Sequence, residues 1–160
     1  MRTTGRLAAA ALAAAVCAGT GWYVFNLERR LEHPFRMADV MADYQRYADK
    51  LYFAGKVQNW ELARWYLWKL TKASRVVADG DVAEYRPVEE YDVAELTRQM
   101  LEPALQVVDS AIASQDAQAF QNAYTTLVNT CNACHHASQH GFVQIVEPDE
   151  PTHKNQKYAP

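Results

Sequence analysis

The residues best able to do chemistry stand together near the end of the chain: Cys131, Cys134 and His135, in the run Cys-Asn-Ala-Cys-His. On a helix, residues three and four positions apart lie on one face, so both thiols and the imidazole are expected to point to the same side. Thiols form covalent bonds to carbon, and thiolates and imidazoles bind metals. The five-residue spacing matches the pattern through which haem c is attached to proteins.

This spacing suits haem c for a mechanical reason. Two thiols one helical turn apart can form thioethers with the vinyl groups at one edge of a porphyrin, and the adjacent imidazole can then reach the iron. We therefore predict one covalent haem c, with Cys131 and Cys134 as its attachment points and His135 as an axial iron ligand.

Three other uses of the two cysteines stay open. They could bind zinc together with two of the three nearby histidines, His135, His136 and His140. They could form a redox dithiol, although such motifs usually lie where a strand meets a helix, and no strand is predicted. They could also form an ordinary disulfide, which would leave the adjacent histidine unexplained.

Helical periodicity predicts the elements that position these residues, and no strand-like alternation of any length occurs. The domain is therefore predicted to be all-α. The predicted helices run from near Pro34 to near Gly55, from Asn59 to about Asp79 with Gly80 as terminator, from near Asp92 onward, and from Asp116 to about His136. Pro103 lacks an amide donor and should kink or restart the third helix.

The fourth helix carries the clearest apolar seam. Its members step by four, three, four and three residues: Phe120, Tyr124, Leu127, Cys131 and Cys134. Such steps keep one stripe of a helix facing its neighbours, so the cysteines should continue the inward face.

Both ends of the chain differ from this central part. Residues 1–27 begin with Arg2 and Arg6 before an apolar run, which is typical of an export signal, and the run is also long enough to be an uncleaved membrane anchor. Residues 33–137 form the predicted domain, and residues 138–160 an extended C-terminal tail over it. The domain is thus predicted to lie outside the cytoplasm, in a periplasm, either free or anchored to the inner membrane.

The composition and charge of the chain exclude some classes of function. The chain has 160 residues, 49% of them apolar and 22% charged, which fits one compact domain beyond the targeting segment. The net charge is -3 and no dense stripe of Lys and Arg occurs, so nucleic-acid binding has no electrostatic support. Acidic pairs such as Glu89 and Glu90 are typical of solvated runs, and no catalytic set is predicted.

A haem-attachment motif near the end of the last of four helices resembles the cytochrome c prime family, also called class II c-type cytochromes. The resemblance covers about Pro34 to His136. It implies an antiparallel up-down four-helix bundle, haem c with His135 as proximal ligand, and either electron transfer or the binding of a small gas.

In an up-down bundle the end of the fourth helix lies level with the start of the first, because these helices are antiparallel neighbours. Three side chains are then expected over the haem: Met37, Met41 and Tyr44. Methionine sulfur can bind haem iron, and we prefer Met41 as the distal ligand because it lies a full turn inside its helix. The alternative is that both methionines only fill the core.

The predicted function is electron transfer by a monohaem c-type cytochrome, without enzymatic activity of its own. The alternatives are a haem protein that binds or senses NO or CO at an open iron position, and a zinc-binding or interaction module without haem. The expected partner is a redox protein of unknown identity; membrane attachment through the N-terminal segment and a homodimer stay open.

Overall fold

The structure is a computed structural model that describes residues 14–27, 35–80, 82–83 and 91–160. The chain divides into two units, Met1–Pro34 and Phe35–Pro160. Most of the described residues are helical, so the predicted all-α class is confirmed. Within the described ranges, the sheet consists of one parallel pair of two-residue strands, β1 (Phe35–Arg36) and β2 (Val82–Ala83).

In the first unit, the described residues form helix α1 (residues 14–27). Its aromatic side chains Trp22 and Tyr23 are exposed. No helix in the described stretches combines the length and the apolar character needed to cross a membrane. The basic start with Arg2 and Arg6, on which the export prediction depends, lies outside the described residues.

The second unit contains the helices that position the cysteines. Their bounds are α2 (Met37–Lys56), α3 (Trp60–Ala78), α4 (Val93–Leu96), a π-helical turn (Thr97–Leu101), α5 (Glu102–Ser114) and α6 (Ala117–Ala137). Three of the helix starts are capped as the sequence indicates. Asn59 accepts a hydrogen bond from the Leu62 amide, and Asp92 and Asp116 each accept from two amides of the following turn.

The two glycines near predicted helix ends have different roles. Gly80 has φ +78° just after α3, which is the left-handed conformation expected of a terminator. Gly55, in contrast, lies inside α2, which continues to Lys56. A Cβ on Gly55 would stand 2.1 Å from the Phe120 ring, so this glycine allows α2 and α6 to approach closely.

Pro103 does not end the third helical segment. The chain passes through the π-helical turn Thr97–Leu101 and continues as α5, with Pro103 in its first turn. The first turn of a helix tolerates proline because its amides need no partner within the helix, and a π turn absorbs local strain. Pro103 therefore lies where the π-helical turn passes into α5, and the helical dihedrals of Leu101 and Glu102 continue through this junction without a break.

The core of the second unit lies between four helices. α2 packs against α3 and α6, α3 packs against α5, and α5 packs against α6. The largest fully buried side chains are Tyr124, Phe120, Leu51, Ile112 and Leu127. Three of these, Phe120, Tyr124 and Leu127, belong to the predicted α6 seam. The seam is therefore confirmed as far as Leu127, its last member before the cysteines.

The chain beyond α6 contains turns and irregular backbone and is joined to the helices by long-range hydrogen bonds. The Tyr66 hydroxyl donates to Oε1 of Gln156 at 2.6 Å, and the Asn59 side-chain amide donates to the Tyr158 carbonyl at 2.9 Å. The Tyr158 ring is buried beside Phe53. The last residues are therefore packed onto α2 and α3.

Candidate functional site

Cys131 and Cys134 lie in the last two turns of α6. Both are half-buried, and both thiols are free of disulfide bonds. Cys131 packs against the edge of the apolar core, in line with the buried residues Leu127 and Tyr124 one and two turns earlier. The structure thus places both thiols on the helix face that turns toward the rest of the domain.

Burial determines the protonation state of these thiols. It raises the pKa of Cys131 to about 11, with a further contribution from the neighbouring Cys134, and it also raises the pKa of Cys134. Both thiols are therefore protonated at neutral pH. Redox-active dithiols usually have lowered pKa values, because the thiolate is the reactive form. A thioether sulfur has no ionised form, so its burial does not disfavour a charged state.

The imidazole of His135 is held by one hydrogen bond from outside α6. Its Nδ1 lies 2.8 Å from the carbonyl oxygen of Val143. A carbonyl oxygen only accepts, so Nδ1 carries the proton, and in the neutral imidazole Nε2 then has the free lone pair. This is the tautomer that a metal-binding histidine needs when it binds through Nε2.

Asn132, between the two cysteines, binds the same C-terminal segment. Its side-chain amide donates to the Ile145 carbonyl at 2.9 Å, and its Oδ1 accepts from the Ile145 amide at 2.7 Å. The Ile145 side chain packs against the apolar core. The segment after α6 therefore runs back along that helix beside the motif.

Tyr44 of α2 is the predicted distal residue that the structure brings to the cysteines. Burial raises the pKa of its phenol, and the negative charges that Cys134 and Cys131 would carry raise it further, which is an effect of proximity. The Tyr44 hydroxyl lies 3.5 Å from the Ala73 carbonyl oxygen of α3. A neutral phenol therefore lies next to α3, near enough to both thiols for their charges to affect its pKa.

The two methionines are placed differently. Met41 is half-buried and lies one turn before Tyr44 on α2, so helical spacing puts it on the same face. Met37 lines a surface cavity with Val77, Tyr91 and Val93, and neither cysteine belongs to that lining. Both methionines thus lie on the Tyr44 face of α2, and Met41 is one turn closer to Tyr44 than Met37 is.

The histidines of the zinc alternative are engaged locally or exposed. Nδ1 of His140 lies 2.5 Å from the Ser138 carbonyl oxygen, and His136 is exposed at the end of α6. Among the residues that the structure describes, no three His, Cys, Asp or Glu side chains are grouped so that they could hold a metal ion. A haem iron differs from zinc in needing only one or two protein ligands.

Sequence reasoning missed the C-terminal segment as part of the site. Asn132 occupies a position that the motif leaves free, and the Val143 partner of His135 is a backbone carbonyl without a side-chain signature. One signal was present: Gly141 follows the helix end. A Cβ added to Gly141 would stand 3.3 Å from the His136 ring. A glycine there marks a tight return of the chain.

No protein-family model matches this chain, and neither a curated protein nor a solved structure matches it. A functional proposal therefore starts from the residues and geometry of the site.

Proposed function

We propose that this chain is a monohaem c-type cytochrome that transfers electrons outside the cytoplasm. Haem c would be attached through Cys131 and Cys134, with His135 as an axial ligand. One observation carries the proposal: the complete motif lies on one half-buried face of α6, with two free thiols and an imidazole whose Nε2 has the free lone pair. This donor set fits haem c.

The chemistry of the thiols supports a thioether more than a redox role. Burial raises the pKa of both cysteines, which removes the thiolate that disulfide exchange requires. Attachment converts each thiol into an uncharged sulfide, so the half-buried site no longer contains an ionisable group at these positions. The core contact of Cys131 would then keep one edge of the cofactor out of water.

When bound, haem c supplies an iron that cycles between ferrous and ferric states. The residues of this chain have separate tasks around it. His135 presents Nε2 and is oriented by the Val143 carbonyl, whereas Tyr44 covers the space beside the thiols with a neutral, half-buried ring. Met41, on the same face of α2, remains the proposed distal ligand.

The fold proposed for the second unit is an antiparallel up-down four-helix bundle, as the resemblance to cytochrome c prime implies. Its support is the packing order, in which α2 contacts α3 and α6, and α5 contacts both α3 and α6. Four helices in a ring, joined in chain order, produce this set of neighbours. The haem site would then lie at the end of α6, near the α2 residues around Tyr44.

One observation favours the alternative of small-gas binding. The residue close to both thiols is a tyrosine, and the raised pKa of its phenol keeps it neutral, so it is a poor iron ligand but a good hydrogen-bond donor. An iron position left open beside Tyr44 would suit NO or CO. The coordination number of the iron separates the two functions.

The test is haem retention in a host that attaches haem c. The wild-type protein should show a haem c signal in its pyridine haemochrome spectrum and a haem-stained band after denaturing electrophoresis. The double variant Cys131→Ala/Cys134→Ala should lose the band. The matched control is Cys17→Ala, which removes the exposed cysteine of α1 and should keep it. An unstained wild-type band would refute the proposal.

A further inference from the structure

A short segment after α6, here called the C-terminal strap and defined as residues 141–147, runs back along that helix. Val143 pairs with His135, Ile145 with Asn132, and Glu147 with Gln121. The strap partners step toward the start of α6 as the strap proceeds, so its direction is antiparallel to the helix. The strap therefore covers the flank of α6 next to the cysteines.

We propose that Asn132 is a positioning residue for His135 and acts through this strap. By holding both backbone groups of Ile145, Asn132 keeps the Val143 carbonyl on Nδ1 of His135. The inference rests on the proposed function in one respect. The effect of Asn132 on the iron depends on bound haem, whereas the effect of Asn132 on the His135 hydrogen bond does not.

Asn132 holds the strap two residues after the group that His135 uses. Its side chain binds the amide and the carbonyl of Ile145, and the Val143 carbonyl lies on Nδ1 of His135, one turn further along α6. The backbone between these contacts consists of Gln144 alone. Fixing Ile145 therefore limits how far the Val143 carbonyl can move away from His135.

Asparagine is suited to this task by its chemistry. Its side chain offers both a donor and an acceptor, and Asn132 uses both, at 2.9 and 2.7 Å, on a single residue of the strap. Most other side chains cannot make this pair: an apolar residue makes neither bond, and aspartate can only accept.

One other contact reaches Val143, whose amide donates to the His140 carbonyl at 2.8 Å; it holds the start of the strap and leaves the side toward Ile145 to Asn132. The remaining strap contacts do not act on His135 directly. The Ile145 side chain packs against the core, and Glu147 accepts hydrogen bonds from Gln121 and Thr125, more than two turns of α6 away from His135. They hold the strap on the helix, so removing Asn132 is expected to release the Val143 carbonyl without detaching the whole strap.

The hydrogen bond at Nδ1 of His135 affects the basicity of Nε2, the proposed iron-binding atom. An Nδ1–H that donates to a carbonyl makes Nε2 a stronger base, and loss of such a partner typically costs tenfold or more in metal affinity. A stronger base favours the more highly charged ferric iron. Asn132 is therefore expected to lower the reduction potential of the site by stabilising the His135 hydrogen bond.

The experiment compares Asn132→Ala with Asn122→Ala in the full chain. Asn122 is an exposed asparagine of the same helix, and its side-chain oxygen accepts a hydrogen bond from Gln118 rather than from the strap. The first readout, by NMR on haem-free protein, is the exchange of the His135 Nδ1 proton with water. Loss of one hydrogen bond, about 1.4 kcal/mol, corresponds to roughly tenfold faster exchange in Asn132→Ala. The control should match the wild type.

The second readout is the reduction potential of the haem-loaded proteins. Asn132→Ala should raise it by about 59 mV, which is a tenfold change for a one-electron couple. Asn132→Asp, which keeps the bond from the Ile145 amide, should show intermediate proton exchange and serves if the alanine variant does not fold. Unchanged exchange in both Asn132 variants would overturn the inference. A wild type without haem would refute the proposed function instead, and the exchange readout would still decide the role of Asn132.

Discussion

The Thr152 hydroxyl donates a 3.0 Å hydrogen bond to Oδ1 of Asp49, a carboxylate that is buried in α2. The Thr152 amide lies 3.4 Å from the same oxygen. A carboxyl group buried in a small domain needs hydrogen-bond partners, because burying an unpaired polar group is costly, and Thr152 supplies them to Oδ1. This contact therefore joins the C-terminal residues to the middle of α2.

Replacing Asp49 by alanine should reduce the stability of the domain. The change leaves the Thr152 hydroxyl and amide without their acceptor, which costs about 1–3 kcal/mol of the free energy of unfolding. Urea denaturation followed by circular dichroism measures it. The control is Glu150→Gln, which breaks an ion pair with Lys154 whose side chains are 76% and 73% exposed, and it should change stability by less than about 0.5 kcal/mol. Equal effects of the two variants would contradict this role of Asp49.

The helices were predictable because their signals are local. Asn59, Asp92 and Asp116 cap helices with their own side chains, and the steps from Phe120 to Leu127 mark a buried stripe whatever the partner helix is. The cysteine motif could be recognised for the same reason, since its spacing is a property of one helix.

Contacts between distant parts of the chain were not predictable. The hydrogen bond from Thr152 to Asp49 and the one from His135 to Val143 join residues whose types do not indicate a partner. Gly55 illustrates the same limit: it was expected near the end of a helix, but its role is set by the Phe120 ring of α6. Tertiary packing determines these features, and periodicity within one segment does not report it.

The second prediction tests Met41 as the distal ligand of the iron. If Met41 is the sixth ligand, Met41→Ala should convert a six-coordinate spectrum to a five-coordinate one and lower the reduction potential, because methionine sulfur raises it. Absorption spectra of the reduced and oxidised protein measure the first change, and a redox titration measures the second.

Met37→Ala is the matched control for this experiment. Met37 lies two turns from Tyr44 and lines a surface cavity beside Val77 and Val93 that neither cysteine borders, so its loss should leave the spectrum unchanged. A wild type that is already five-coordinate would rule out Met41 as ligand and favour gas binding beside Tyr44.

Export gives a third prediction. Haem c attachment outside the cytoplasm requires that the domain be exported, and the basic and apolar start of the chain is the proposed signal. Deleting residues 2–18 should therefore abolish haem loading, as seen by haem staining of equal amounts of full-length and truncated protein from the same host. Undiminished loading of the truncated protein would show that the segment is not needed for export.

The last prediction concerns alkaline pH and the haem-free protein. Burial raises the pKa of Cys131 from its ordinary value of 9.0 to about 11, so the folded protein holds the thiol proton more tightly than the unfolded chain does. Below pH 9 both states are protonated and the stabilisation is fully present. Between pH 9 and 11 the unfolded chain releases its proton first, so the free energy of unfolding should fall by up to about 3 kcal/mol.

Urea denaturation at several pH values tests this and also separates haem-free from haem-loaded protein. Tyr44 and Tyr124 also have raised pKa values, so every form should lose some stability at high pH. The fall should nevertheless be steeper in haem-free wild type than in Cys131→Ala, which lacks the thiol. Haem-loaded wild type should show a still smaller fall than the alanine variant, because both of its cysteines are thioethers without a proton to release, whereas Cys131→Ala keeps the Cys134 thiol with its raised pKa. Identical slopes for haem-free wild type and Cys131→Ala would show that the Cys131 thiol is not protected by burial.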